Sequence, residues 1–365
     1  MTTRKFNFGA GPATIPLEVL EEVKEELLDW KGLGISVMEI SHRSKEFTEI
    51  AKEAESDFRD LLSISNDYGV LFLHGGATLQ MPMIPMNFTP HGGKADYVNT
   101  GHWALRAINE AKKYINVKIV ASSEEDNFRF FPPQNTWKIS HDSSYLHITP
   151  NETIGGIYLK NISEEKIPII ADYSSGILSE EMDVDKFTLI YGGAQKNIGP
   201  AGLGFAIVKK ESLNQAREIT PTMFNYTEML KEESMYNTPP TFAWYMAGKT
   251  FKWLKSLGGI KEVGKINHLK AKKLYSFLDD SNFYFNNIDL SSRSIMNIPF
   301  LLKNPDLNEQ FLIDSENAGL LALKGHRSVG GMRASIYNAM PEEGVDKLIE
   351  FMESFEKKNH NKLNV

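Results

Sequence analysis

Short apolar runs alternate with amphipathic stretches through the first two-thirds of the chain, a pattern that predicts layers of helix over a buried sheet. Leu17, Leu20, Val23, Leu27 and Trp30 recur at helical spacing, with Glu18, Glu21, Glu22 and Glu25 on the opposite face. Pro16 suits a first helical turn, and Gly32-Leu-Gly34 ends that helix. A second amphipathic helix is predicted over about 46–62 and a third over 104–113. Apolar runs at 68–73, 95–99, 117–120, 145–148, 167–171, 189–191 and 204–208 read as strands, the last closing the sheet. Such runs, interleaved with helices, predict a largely parallel seven-stranded sheet covered on both faces. The segments 122–142 and 220–240 lack periodicity and read as loops, the first of them on the surface.

The pattern changes after a helix at 242–257. A long helix from Ile260 to about Leu278 hands the chain to strands at 294–302 and 332–336 and helices at 307–318 and 341–355. The expected division is a large α/β domain over 16–260 and a smaller α+β domain over 261–365. Phe6-Asn-Phe-Gly-Ala-Gly-Pro12 is too rich in glycine for a helix, so residues 1–15 are expected to form an extended arm.

Composition narrows the function. The 365 residues contain no cysteine, which excludes disulfides and thiolate metal sites. A net charge of −7 argues against nucleic acid as the main partner. No run approaches the roughly 20 apolar residues of a membrane span. The start, Met-Thr-Thr-Arg-Lys, lacks an apolar signal core, so the expected compartment is cytoplasmic. No zinc motif H-E-x-x-H occurs and no metal site is expected; the P-loop motif is absent as well. Gly199-Pro-Ala-Gly-Leu-Gly204 has the wrong spacing for a dinucleotide fingerprint, which disfavours a nicotinamide dehydrogenase.

The candidate chemistry gathers around Leu189-Ile-Tyr-Gly-Gly-Ala-Gln-Lys196. A lysine set after a buried strand, among small residues, is placed for partial desolvation, which lowers its pKa as imine chemistry requires. The neighbouring run Ile167-Pro-Ile-Ile-Ala171 ends in Asp172. A lysine for an aldehyde and a carboxylate for a pyridinium nitrogen suggest pyridoxal phosphate. His74-Gly-Gly-Ala-Thr-Leu-Gln80 joins a strand to a helix start, an arrangement that offers free N–H groups to an anion.

Long stretches of the chain resemble one family. Ser36-Val-Met-Glu-Ile-Ser-His-Arg43, Ala171-Asp-Tyr-Ser-Ser-Gly-Ile-Leu-Ser179, Gly193-Ala-Gln-Lys-Asn-Ile-Gly-Pro-Ala-Gly202, Asn237-Thr-Pro-Pro-Thr-Phe-Ala-Trp244 and Gly325-His-Arg-Ser-Val-Gly-Gly-Met-Arg-Ala-Ser-Ile-Tyr-Asn338 are similar to the phosphoserine aminotransferases. The resemblance implies a class-V, fold-type-I transferase that uses pyridoxal 5′-phosphate. It implies transfer of the amino group of L-glutamate to 3-phosphohydroxypyruvate by a ping-pong cycle, with 4-phosphohydroxythreonine as a related substrate. Lys196 is then the Schiff-base lysine that also moves the α-proton, and Asp172 the partner of the ring nitrogen. The phosphate is expected on Ala77 and Thr78 with Gln195 beside them; some relatives carry an arginine where Thr78 stands, so one cationic contact is missing here. Trp103 is expected to stack on the ring and Thr153 to bond near its phenolic oxygen. Residues matching Asn237 and Thr238 reach the phosphate from a neighbouring subunit in relatives, which implies a homodimer with shared sites. Arg333 is assigned to the α-carboxylate, and His42, Arg43, His326 and Arg327 to the distal anion. A related alternative is another fold-type-I aminotransferase, such as the alanine–glyoxylate type; a desulfurase is disfavoured because it needs a cysteine.

Overall fold

The computed structural model describes residues 4–362. Its largest sheet has seven strands: β2 (Tyr68–His74), β3 (Lys94–Asn99), β4 (Asn116–Ser122), β5 (Leu146–Ile148), β6 (Ile169–Asp172), β7 (Leu189–Gly193) and β8 (Leu203–Lys209). Their spatial order is β2-β8-β7-β6-β5-β3-β4, and only β8 runs antiparallel to its neighbours, β2 and β7. The sequence-based expectation that β8 closes the sheet is therefore corrected: β2, early in the chain, forms that edge and β8 lies inside it. Periodicity shows that a strand is buried but carries nothing about which neighbour it pairs with.

Both faces of this sheet are covered. Helices α2 (Lys45–Leu62) and α6 (Thr241–Ser256) lie on one side, where Phe58 stacks on Phe251 at 4.8 Å between centroids. Helices α3 (Gly76–Phe88) and α4 (His102–Ala111) cover the other side with α5 (Tyr226–Lys231), a short helix inside the segment expected to be loop. The first helix, α1 (Leu17–Glu26), stops a turn earlier than its periodicity predicts. Beyond it, Lys31 takes φ 51 inside a 3-10 turn, which keeps Trp30 buried and leaves Leu28 85% exposed. The segment 122–142 is not a surface loop throughout, because Phe131 and Trp137 are buried in the core.

The long helix α7 (Ile260–Asp280) packs its first turns, Ile260 and Val263, into the core of the large sheet. Its later residues, Ala271, Leu274 and Leu278, belong to a second core. That core also contains α8 (Asn308–Asn317), α9 (Glu342–Asn359) and a three-stranded antiparallel sheet of β12 (Met332–Ser335), β10 (Asn297–Leu302) and β9 (Tyr284–Phe285). The N-terminal arm docks on it: β1 (Phe6–Asn7) pairs in parallel with β11 (Leu320–Leu321), and Phe8 is fully buried. Lys270, buried within α7, donates to the carbonyls of Ile336, Tyr337 and Met340 and so pins the turn after β12.

Candidate active site

Lys196 lies in the turn that follows β7, at the C-terminal ends of the parallel strands, the usual location of ligands in open α/β sheets. The turn is held by Ala194 N–H on the Leu203 carbonyl, by Gly199 N–H on the Ala194 carbonyl, and by the arm, whose Ala13 N–H reaches the Gln195 carbonyl. The lysine is 9% exposed, and its Nζ donates to Thr153 Oγ1 at 2.6 Å. Burial draws its pKa down to about 8, opposed by the negative charges of Asp172 and Glu152 and assisted by Arg333. At the end of β6, Asp172 Oδ1 accepts from the Ser174 backbone at 2.9 Å and from its hydroxyl at 2.6 Å. Its Oδ2 makes no hydrogen bond among the described residues and is free for a ligand.

A cavity of ≈ 320 Å³ opens beside these groups, lined by Gly75, Gly76, Ala77, Thr78, Trp103, Asp172, Gln195 and Lys196 among others. Gly75 caps α3 in the left-handed region at φ 79 and brings no side chain to the helix terminus. The first N–H groups of α3 are thereby left to an anion, as the sequence pattern predicts. Trp103 Nε1, Gln195 Oε1 and Arg333 Nε are buried without partners among the described residues. A flat cofactor with a phosphate at one end and a ring nitrogen at the other fits this set: uncapped N–H groups, an indole face, an open carboxylate oxygen and a desolvated amine lie around one cavity.

The aminotransferase class-V family model matches residues 5–348. Phosphoserine aminotransferase from Hahella chejuensis is 52% identical over 98% of this chain and 100% of its own length. The chain belongs to the phosphoserine aminotransferases. A solved phosphoserine aminotransferase from Bacillus circulans subsp. alkalophilus superposes with TM-score 0.96 at 43% identity, covering 98% of this chain and 99% of that one. The pyridoxal phosphate-bound enzyme from Trichomonas vaginalis gives 0.92 at 39% identity, covering 96% and 100%. The fold is thus that of the fold-type-I aminotransferases, and pyridoxal phosphate is the cofactor. The alanine–glyoxylate alternative is not favoured, because the half-identical, full-length relatives are phosphoserine aminotransferases.

Within a phosphoserine aminotransferase chain, not every expected site residue meets the lysine. Ala77, Thr78, Trp103, Asp172, Gln195 and Lys196 share the cavity, and Thr153 touches the lysine. Arg333, on β12, reaches in from the second sheet, with Nη1 3.4 Å from the Thr153 carbonyl oxygen. Burial, and then the charges of Arg333 and Arg327, lower the pKa of His326. Arg327, beside His326, is exposed and makes no ion pair among the described residues. His42, Arg43, Asn237 and Thr238 do not line the cavity; Arg43, Asn237 and Thr238 are exposed.

Two residues at the site were missed from the sequence. His102 lies with its ring centroid 5.1 Å from that of His326, and burial and the neighbouring cations His326, Arg106 and Arg327 lower its pKa. Glu152, fully buried, accepts from the backbone N–H of Ala104 at 2.8 Å and of Trp103 at 3.2 Å. Its only signal in the sequence is a run of polar residues, Asn151-Glu-Thr153, directly after an apolar strand.

Proposed function

We propose that this chain transfers the amino group of L-glutamate to 3-phosphohydroxypyruvate, giving 2-oxoglutarate and O-phospho-L-serine, in two half-reactions at one site. The observation that carries the reading is Lys196, a buried amine with a pKa drawn down to about 8, at the edge of a cavity that also offers Asp172 and an uncapped helix terminus. Glutamate and phosphohydroxypyruvate each present a carboxylate next to the reacting carbon and a second anion farther away. 4-Phosphohydroxythreonine carries the same two anions and is a second substrate in this reading.

Pyridoxal phosphate, when bound, supplies the aldehyde that captures the amino group and the electron sink at the substrate's α-carbon. Ala77 and Thr78 N–H groups, with the Thr78 and Gln195 side chains, would hold its phosphate. Trp103 would stack on its ring, Thr153 would bond near its phenolic oxygen, and Asp172 Oδ2 would keep a proton on its ring nitrogen. Lys196 holds the cofactor between turnovers. Once displaced, the neutral Nζ of Lys196 would take the α-proton of the amino donor and later give a proton back, one amine serving as base and then acid. Arg333 holds the α-carboxylate in a planar, two-pronged grip. Its distance to the Thr153 carbonyl, 3.4 Å, leaves that guanidinium weakly engaged and ready for a ligand. His326 and Arg327 bind the distal anion.

The same reading makes the working unit a homodimer, with His42, Arg43, Asn237 and Thr238 completing the neighbour's site. Two features support it. The residues before His42 expose Leu28, Leu33, Ile35 and Met38, and the segment that leads to Asn237 exposes Ile219 and Tyr236. Exposed apolar side chains of this size are expected at an interface between subunits. In the proposed organisation residues 16–260 hold the cofactor, residues 261–365 supply His326, Arg327 and Arg333, and the arm, from Arg4 to residue 15, ties the two together; residues 1–3 and 363–365 of this division lie outside the described residues. No helix among the described residues is long and apolar enough to cross a membrane; a cytoplasmic location is part of the proposal. Incubating the purified protein with L-glutamate and 3-phosphohydroxypyruvate tests the reading. Equal amounts of 2-oxoglutarate and O-phospho-L-serine are expected, and the absence of either product would refute it.

A further inference from the structure

Glu152 is the only glutamate fully buried among the described residues, and its position has a consequence for both Trp103 and Lys196. Helix α4 begins at His102 behind Gly101, which provides no capping side chain. Glu152 supplies the cap from the segment after β5: Oε1 accepts from Ala104 N–H and Oε2 from Trp103 N–H, at 2.8 and 3.2 Å. A carboxylate at a helix N-terminus also meets the positive end of the helix dipole. Gly101 makes room for it, since a Cβ there would come within 2.9 Å of the Glu152 carboxyl carbon at a φ of +152 that other residues rarely adopt. The next residue, Thr153, holds Lys196 Nζ at 2.6 Å, and that Nζ sits 5.6 Å from the centre of the Trp103 ring. Two consecutive residues thus hold the helix turn that carries the ring and the lysine whose Nζ lies over it.

We propose that Glu152 is a positioning residue of this site: its carboxylate pins the first turn of α4, and with it the Trp103 indole, and is the second negative charge facing Lys196 alongside Asp172. The inference rests on the reading of Lys196 and Trp103 as cofactor-holding residues. The charged and titratable groups around the pair are Asp172 on β6, Tyr191 on β7, and Arg333 on β12, which faces the lysine. Burial pushes the Glu152 carboxyl up to about 7, against the two backbone N–H groups; Asp172 raises it further and Lys196 lowers it. In return, Glu152 and Asp172 both favour the ammonium form of Lys196. Removing the Glu152 charge therefore disfavours that ammonium and lowers the lysine's pKa.

The test is Glu152→Gln, which keeps the shape but replaces one acceptor with a donor that opposes Trp103 N–H. Cofactor-free protein is mixed with pyridoxal phosphate, and the rate of covalent adduct formation is followed by absorbance against pH. Quenching of indole fluorescence is followed in parallel, with Trp103→Phe to identify the Trp103 contribution. The expected result is a rate midpoint displaced to acid by about half a pH unit or more, the sign of a lost anion near an amine. Cofactor affinity should fall about tenfold, and the Trp103 share of the quench should shrink. An unchanged midpoint and unchanged quench in a folded Glu152→Gln protein, even one with a lower Tm, would reduce Glu152 to a helix cap and overturn the proposal. If that variant does not fold, Glu152→Asp keeps the charge and shortens the reach. It should retain most of the midpoint while losing quench; retention of both would likewise overturn the proposal. Failure of the underlying reading looks different, because the adduct in the unaltered protein would then form on a lysine other than Lys196.

Discussion

Lys196 Nζ and Thr153 Oγ1 are 2.6 Å apart, and this hydroxyl is the first member of a buried polar chain that leaves the large sheet. Thr153 donates to Ser175 at 2.9 Å, Asn151 donates to Ser175 at 2.7 Å and to Asn297 at 2.9 Å, and Asn297 donates to Tyr337 at 3.0 Å. Tyr337 ends the chain on the Ala10 carbonyl of the N-terminal arm, at 2.8 Å. The lysine's position is therefore set by β10, the turn after β12 and the arm as well as by its own strand. Satisfied polar networks in a low-dielectric interior fix one geometry, because breaking any link strands a desolvated partner.

Cutting that chain at its centre tests the coupling. Asn151→Ala leaves Ser175, Ser294 and Asn297 short of partners. It should destabilise the protein by about 1–3 kcal/mol in denaturant melts. It should also lower kcat by more than it raises KM, since the lysine and not the substrate loses its support. A change confined to stability would separate the network from catalysis.

The lysine's ionisation sets the pH dependence. The amine reacts only when neutral, and burial brings its pKa to about 8. Adduct formation in cofactor-free protein should therefore rise about tenfold per pH unit below that value and level off above it. An exposed lysine, with a pKa near 10.4, would still be rising at pH 10. Following the rate from pH 6 to pH 10 distinguishes the two.

Much of this arrangement is legible in the sequence, and the remainder is not for physical reasons. Lys196, Asp172 and the Gly75–Gly76 turn stand at strand ends marked by apolar runs that stop in small or polar residues, which is a local signal. The order β2-β8-β7 carries no such signal, since pairing is decided by contacts far apart in the chain. The turn at Trp30–Gly32 was hidden because the helical spacing of apolar residues continues past the point where the backbone turns at Lys31. Phe131 and Trp137 lie in a segment without periodicity, yet both are buried, because burial of a few aromatics needs no regular element. Glu152 carries no such signal, because a buried carboxylate is meaningful only once the helix terminus it caps is in place.

The two proposed anion sites should separate by substrate. Arg327→Ala should lower kcat/KM for 3-phosphohydroxypyruvate by about ten- to a hundredfold, the loss of a charge-assisted contact worth about 1.5–3 kcal/mol. The loss for hydroxypyruvate, which lacks the phosphate, should be much smaller. Arg333→Ala should impair both alike, because both present the α-carboxylate. Equal losses for the two substrates in Arg327→Ala would remove Arg327 from the distal site.

The proposed homodimer with shared sites predicts complementation between two low-activity variants. Asn237→Ala and Lys196→Ala proteins, each of low activity, are mixed under conditions of proven subunit exchange. A hybrid dimer combines the lysine of one chain with the asparagine of the other in one intact site, so each hybrid should regain one working site of its two and the mixture should recover activity. No recovery would mean that Asn237 serves its own chain.

The most direct measurement concerns where the cofactor is carried. Lys196 shares the interior with two other buried lysines, Lys249, paired with Glu22 and Glu26, and Lys270, held by three carbonyls. Borohydride reduction of the cofactor-loaded protein, followed by proteolysis and peptide mass mapping, should leave the pyridoxyl group on Lys196 alone, with the visible absorption lost in Lys196→Ala. A pyridoxyl group on Lys249, Lys270 or a surface lysine, with Lys196 unmodified, would contradict the proposed site.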